Sequence, residues 1–268
     1  MSLRFIYAVI VAVTLGLAFR LPIGAAGIAD SLAPGGTLRV TFLGGNPVQG
    51  RVDPKTGEIS GPVTDITREL AQRLGVPYKI IPSENPKAVI DSLKAHTADL
   101  GFLAFDATRA TEVDFSTPYS LAHNTYLVPI ASPIHSIADI DRKGIRVLAP
   151  KGDSGELFLT RTLKSAELKS VPGATVEDAQ KMFTASEIDA FATNRQRLIE
   201  AAARLPNVRV LPDNFYDVEQ SLALAKGDAA RVDYINRFID DLRASGFLKA
   251  TLDRAKLSGV DVAPPRTR

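Results

Sequence analysis

Three groups of residues have the types and the setting for binding chemistry. Arg109 stands in a polar stretch just past a hydrophobic run in which Leu100, Phe102, Leu103 and Phe105 are bracketed by small residues. Such a run suits a central strand of a parallel sheet, and in open α/β sheets ligands sit beyond the carboxyl ends of the strands. A guanidinium placed there can grip a carboxylate through two parallel hydrogen bonds, which lysine cannot do. Its alternatives are a solvated surface arginine or a structural ion pair with Asp106 or Glu112. Gly152-Asp153-Ser154-Gly155 follows a second strand-like run and opens a helix-like one. Free backbone N–H groups and a partial positive charge would face the same cleft from there, while the side chains of Asp153 and Ser154 serve equally as helix caps. Asn194 follows a third strand-like run; its amide can accept a hydrogen bond without supplying charge, or it can cap the next helix.

Enzyme chemistry has little support in the same residues. His96, His123 and His135 are far apart and lack metal-ligand spacing, so no metal site is expected. There is no cysteine, hence no thiol nucleophile and no disulfide, and no G-x-S-x-G run occurs. Lys151-Gly152-Asp153-Ser154-Gly155 does not place its lysine as a phosphate-binding loop would. No cofactor is expected.

The elements that must position these residues follow from pattern. Leu38–Leu43 reads as a first strand, broken by Gly44-Gly45-Asn46-Pro47, with a turn at Asp53-Pro54-Lys55-Thr56-Gly57. Pro62 opens a helix that carries Ile66, Leu70 and Leu74 on one face and stops at Gly75. A strand over 78–81, a helix over 86–95 and a strand over 99–103 complete a β-α-β-α-β unit, the signature of a doubly wound parallel sheet. The pattern restarts with strands over 145–148, 168–171, 188–191 and 208–211 and helices over 154–163, 176–183 and 194–203. Extended segments over 125–130 and 219–225 read as two crossings between the halves. Helices over 229–242 and 247–257 follow, and Pro264-Pro265 reads as a loose end.

The run Arg109 to Asp114-Phe115-Ser116-Thr117-Pro118-Tyr119, after a small-Asp-apolar-apolar strand, resembles the first lobe of the family-3 solute-binding proteins of bacterial ABC importers. The likeness extends over most of the chain after residue 36. It implies a two-lobed α/β clamshell of the type II periplasmic binding class, each lobe a doubly wound sheet, joined by two crossing hinge strands. The implied boundaries are a signal peptide at 1–29, a first lobe at 30–129 with 219–268, and a second lobe at 130–218. In that family the residue matching Arg109 pairs with an amino acid's α-carboxylate, and those matching Ser154 and Gly155 hold it from the opposite lobe. Asp153 departs from the usual hydroxyl and would repel a carboxylate if turned inward. Asn194 replaces the usual acid that pairs with the α-ammonium, which leaves either a carboxylate ligand with no cation or an amine paired elsewhere, at Asp106, Asp153 or Glu156. Ala104 stands where relatives have a small or hydroxyl residue against the ligand. Asn46, in the loop 46–49, stands where many have a lid aromatic, with Phe42, Phe102 or Phe105 as substitutes.

The amino terminus has the form of a secretory signal: Arg4, an apolar core over 5–19, then small residues with cleavage expected after Ala26 or Ala29. An uncleaved anchor is the alternative, Arg20 being unusual after such a core. Removing Arg4 and Arg20 leaves 30 basic and 30 acidic residues. A neutral chain without a basic stripe argues against nucleic acid as a partner. With no disulfide, the fold must hold by core burial, which about 240 residues can supply. The expectation is a monomeric periplasmic receptor, not an enzyme, that clamps a small carboxylate-bearing solute (an amino acid or related organic acid) for an inner-membrane ABC permease. The alternatives are a periplasmic dehydratase on the same scaffold and a ligand receptor for a membrane sensor.

Overall fold

The computed structural model describes residues 23–265, with side chains from Gly27 onward. The expected signal core, 5–19, lies outside the described residues, whereas both expected cleavage points fall within a helix, α1 (Ile23–Leu32). The chain then runs β1 (Leu38–Leu43), a short hairpin of β2 (Arg51–Val52) and β3 (Ile59–Ser60), α2 (Pro62–Leu74), β4 (Tyr78–Ser83), α3 (Pro86–Lys94), β5 (Leu100–Ala104) and β6 (Val113–Phe115). A ten-residue strand, β7 (Ser120–Pro129), leads to β8 (Arg146–Pro150), α4 (Ser154–Thr162), β9 (Glu167–Val171), α5 (Val176–Thr184), β10 (Ala190–Asn194), α6 (Arg195–Ala202) and β11 (Val208–Val210). The return is an equally long strand, β12 (Tyr216–Ala225), followed by α7 (Ala229–Ala244), α8 (Phe247–Arg254) and β13 (Val260–Val262).

The sheet order is β4-β1-β5-β12-β7-β10-β8-β9. On one side β1 pairs in parallel with β4 and β5; on the other β8 pairs in parallel with β9 and β10. Both halves therefore have the same local order, with the first strand in the middle, as expected for a doubly wound unit. β7 and β12 join them. Tyr216–Gln220 of β12 pairs with Ser120–Asn124 of β7, and from Gln220 onward β12 pairs with β5. β7 pairs with β10 over 124–127. Separate apolar clusters fill the halves: Phe42, Ile66, Leu70, Phe102 and Phe238 in the first, Leu127, Leu148, Phe191 and Leu198 in the second. The two-lobed, two-crossing architecture expected from sequence is the one observed.

Several details differ. The crossing strands begin at Ser120 and Tyr216, earlier than the sequence patterns suggest, because their first residues mix polar side chains (Ser120, His123, Asn124, Asp217) with apolar ones and owe their extension to pairing with each other. A strand ahead of Pro264 was not foreseen. β13 pairs with β7 over Val260–Val262, Ala263 is fully buried, and Arg243 donates to its carbonyl at 2.8 Å. α1 was not foreseen as structure; Leu32 and Ala33 are buried against α2 and α7.

Each lobe carries the same arginine–aspartate clamp. At the start of β1, Arg39 donates its backbone N–H, Nε and Nη2 to Asp99 at 2.8, 3.0 and 2.6 Å, and the Asp99 N–H returns to the Arg39 carbonyl at 2.8 Å. At the start of β8, Arg146 makes the same bonds to Asp189 at 2.8, 2.9 and 3.0 Å, with a return bond of 2.8 Å. Burial alone would raise the Asp189 pKa, but the hydrogen bonds and charge of Arg146 outweigh it and hold the carboxyl below its ordinary value. A depressed carboxyl stabilises the fold above the unfolded-state pKa, and the contribution disappears as pH falls through the folded-state pKa. Asp189→Asn should therefore lower the melting temperature at neutral pH. The gap to wild type should close as the pH drops below about 4. A gap that stays constant down to acid pH would show that the charge of Asp189 contributes nothing.

Candidate functional site

Arg109 follows β5 in a single 3₁₀ turn, Arg109–Thr111, and is 6% exposed. Its guanidinium spans the two lobes. Nη1 donates to the Ala104 carbonyl at 2.8 Å and to Ser154 Oγ at 3.2 Å, and Nη2 donates to the Gly152 carbonyl at 2.6 Å. Burial pulls its pKa below the ordinary arginine value, against the opposing charges of Asp153 and Asp106. Glu112, one of the structural partners weighed from sequence, pairs with Lys94 instead. Asp106 is held by Thr108 N–H at 2.8 Å and by Arg161 Nη1, reaching across from α4, at 3.1 Å. It is occupied.

The turn before α4 has Gly152 at φ 81°, in the left-handed region that favours glycine. Gly155, in the first turn of α4, lies so close to β7 that a Cβ would stand 2.5 Å from Asn124 Nδ2. A side chain there would have to displace the Asn124 carboxamide. Asp153 occupies the cap position of α4, yet its side chain makes no capping bond. Burial pushes its pKa up, opposed by Arg197 and Arg109; Arg197 Nη1 is 3.8 Å from Asp153 Oδ2. Glu156 accepts from Gly152 N–H at 3.0 Å, Thr160 Oγ1 at 3.2 Å and Ser170 Oγ at 2.5 Å, so its carboxylate is fastened toward β9.

Asn194 closes β10 and caps α6. Its Oδ1 accepts from Arg197 N–H at 2.8 Å, while its Nδ2 donates across the cleft to Asn46 Oδ1 at 3.0 Å. Arg197, three residues on, donates from Nη2 to the Gly45 carbonyl of the opposite wall at 2.7 Å. At the rim Arg51 forms a two-point ion pair with Glu200.

Asn46, Ala104, Arg109, Asp153, Ser154, Gly155 and Asn194, the seven residues singled out from sequence, line one cavity of about 40 Å³. It continues outward past Leu43, Pro86, Asp153 and Arg197 into a chamber of about 580 Å³. Phe42, Phe102 and Phe105 do not serve as lids: the first two are fully buried core, and Phe105 packs edge-on against Phe115. Sequence reasoning missed Arg197, Asn124, Gln49 and Gln220. Arg197 had a readable signal, since it is one helical turn beyond Asn194 on the same helix start; the others come from strands and loops whose register the sequence does not fix.

Comparison with known proteins agrees with this arrangement. The profile of the bacterial extracellular solute-binding proteins, family 3, matches residues 38–255. A glutamine-binding protein of Geobacillus stearothermophilus is 30% identical over 181 residues, 66% of this chain and 68% of the relative. Among solved structures, the binding component of an ABC transporter from Wolinella succinogenes, complexed with lysine, superposes with a TM-score of 0.70 at 23% identity, covering 82% of this chain and 95% of the other. An ancestral amino-acid-binding protein described as a precursor of cyclohexadienyl dehydratase gives a TM-score of 0.70 at 23% identity, covering 84% and 97%. With the fold, the cleft and a profile spanning both lobes in agreement, the chain belongs to the bacterial extracellular solute-binding proteins, family 3.

Proposed function

We propose that this protein is a periplasmic receptor that clamps a small carboxylate-bearing solute, an amino acid or a related organic acid, and presents it to an inner-membrane ABC permease. The observation that carries this reading is Arg109: a buried guanidinium, placed at a strand's carboxyl end, whose bonds reach both walls of the cleft. A cavity of about 40 Å³ holds a few waters and no solute of amino-acid size. Loading therefore requires the lobes, 30–129 with 219–268 and 130–218, to part by bending β7 and β12. The bonds of Arg109 to Gly152, Asn194 to Asn46 and Arg197 to Gly45 must open on the way. A solute favours closure by the difference between its contacts in the closed and open states. The relatives described above support a receptor over a dehydratase on the same scaffold.

Mass spectrometry of small molecules released when the purified protein is denatured tests the reading. A carboxylate-bearing solute that raises the melting temperature and is recovered unchanged is the expected result. Conversion of a cyclic diacid to a new product would replace the receptor by an enzyme. Docking to a membrane sensor and not to the permease would replace transport by signalling.

A further inference from the structure

We propose that the cleft selects an organic acid with two carboxylates and no ammonium group. The inference rests on the receptor reading and concerns the polarity of the hydrogen-bonding groups around the cavity. Four of the five side-chain carboxamides that line it, Asn46, Gln49, Asn194 and Gln220, are locked in one direction; the fifth, Asn124, makes no side-chain hydrogen bond among the described residues. Gln49 Oε1 accepts from Leu43 N–H at 3.0 Å, which leaves Gln49 Nε2 to donate to Gln220 Oε1 at 3.1 Å. Asn46 Oδ1 accepts from Val48 N–H at 3.2 Å as well as from Asn194 Nδ2, and Asn194 Oδ1 is taken by the α6 cap. Every one of these carbonyl oxygens is used inside the protein. In these four amides the ends with no hydrogen bond among the described residues are N–H groups, Asn46 Nδ2 and Gln220 Nε2.

An N–H group is a donor and nothing else. An ammonium brought to Asn194 would meet an oxygen already committed to the helix cap and a donating Nδ2. A buried donor facing a donor costs the full desolvation of both. A carboxylate oxygen, in contrast, satisfies such ends.

Charge points the same way. Two guanidinium groups, Arg109 and Arg197, line the cavity. Of the two carboxylates that also line it, Glu156 is fastened toward β9 by three hydrogen bonds. Only Asp153 remains between the arginines. Its carboxylate makes no hydrogen bond among the described residues, stands 3.8 Å from Arg197, and is pushed by burial toward its neutral form. One ligand carboxylate on Arg109 and a second on Arg197 supply the two charge-assisted partners this arrangement lacks. Arg197 borders both the inner cavity and the outer chamber, so the second carboxylate sits toward the mouth.

Isothermal titration of the mature protein, stripped of bound solute by unfolding and refolding, separates the two charges of the ligand. Glutarate against L-glutamate isolates the ammonium, and L-glutamate against L-glutamine isolates the second carboxylate. The α,ω-dicarboxylates from malonate to pimelate cover chain length. The expected result is that the best diacid binds at least about tenfold more tightly than L-glutamate, and L-glutamate more tightly than L-glutamine. Asn194→Asp should weaken the diacid by about tenfold or more and narrow its lead over L-glutamate, because it adds a negative charge beside the bound anion. Arg197→Gln, checked for an unchanged melting temperature, should weaken the diacid by a similar factor. Tighter binding of L-glutamine, or of another amino acid, than of every diacid overturns this inference and leaves the receptor reading standing. Failure of all diacids and all amino acids to bind the refolded protein overturns both.

Discussion

Arg109→Ala should cost on the order of 2–5 kcal/mol of solute binding, the range for breaking one side of a desolvated charge pair. Two effects add. The ligand carboxylate loses its two-point partner, and the closed state loses the bonds that join Ala104, Ser154 and Gly152 through one side chain. Arg109→Lys keeps a charge but offers no planar fork, and its pKa shifts readily when buried; it should fall between wild type and alanine. The measurement is calorimetric titration beside a thermal melt of each variant. Undiminished affinity in a folded alanine variant would remove Arg109 from the site and leave it a purely structural link between the lobes.

Leu32→Ala should destabilise the protein by about 2–5 kcal/mol, as expected for truncating a fully buried leucine. Leu32 is 0% exposed and sits in the cluster that contains Phe42, Leu70 and Phe238. That packing also bears on processing. Cleavage after Ala29 would strip Ile28 and Ala29 from the same cluster, whereas cleavage after Ala26 retains both. A signal removed as its sequence pattern predicts would therefore leave Gly27 as the mature start, read by intact mass spectrometry of the protein purified from its host, and equilibrium urea unfolding reads the cost at Leu32. A neutral Leu32→Ala would mean that α1 is not docked in the mature protein.

The parts of the fold legible in the sequence were those fixed by local chemistry. Pro62 and Gly75 bracket α2, Pro86 opens α3, and the apolar period of β1 and β5 marks central strands. The position of Arg109 at a strand end followed from the same pattern. What was hidden depends on partners far along the chain. β6 is three residues long and is a strand only because β12 lies beside it; β13 likewise exists through β7. The direction in which Asn194 presents its amide could not be read from its type. Both a cap and a cleft contact were open, and the structure shows one atom doing each. Arg197 carried only an indirect signal, one turn beyond Asn194 on the same helix start, and its place on the cleft wall shows in the structure alone.

The repeated clamp has a mechanical consequence. Arg39–Asp99 and Arg146–Asp189 tie the first strand of each lobe to the chain just ahead of its third, well away from the β7–β12 ribbon. Neither clamp bridges the lobes, so the opening proposed above would leave both intact. Each half carries its own internal brace, and a bend between the lobes would fall on the ribbon formed by Ser120–Asn124 and Tyr216–Gln220. Such a bend would carry through to the outer surface of both halves. The two faces offered to a partner would then stand at one distance and one angle with the cleft shut, and at another with it open.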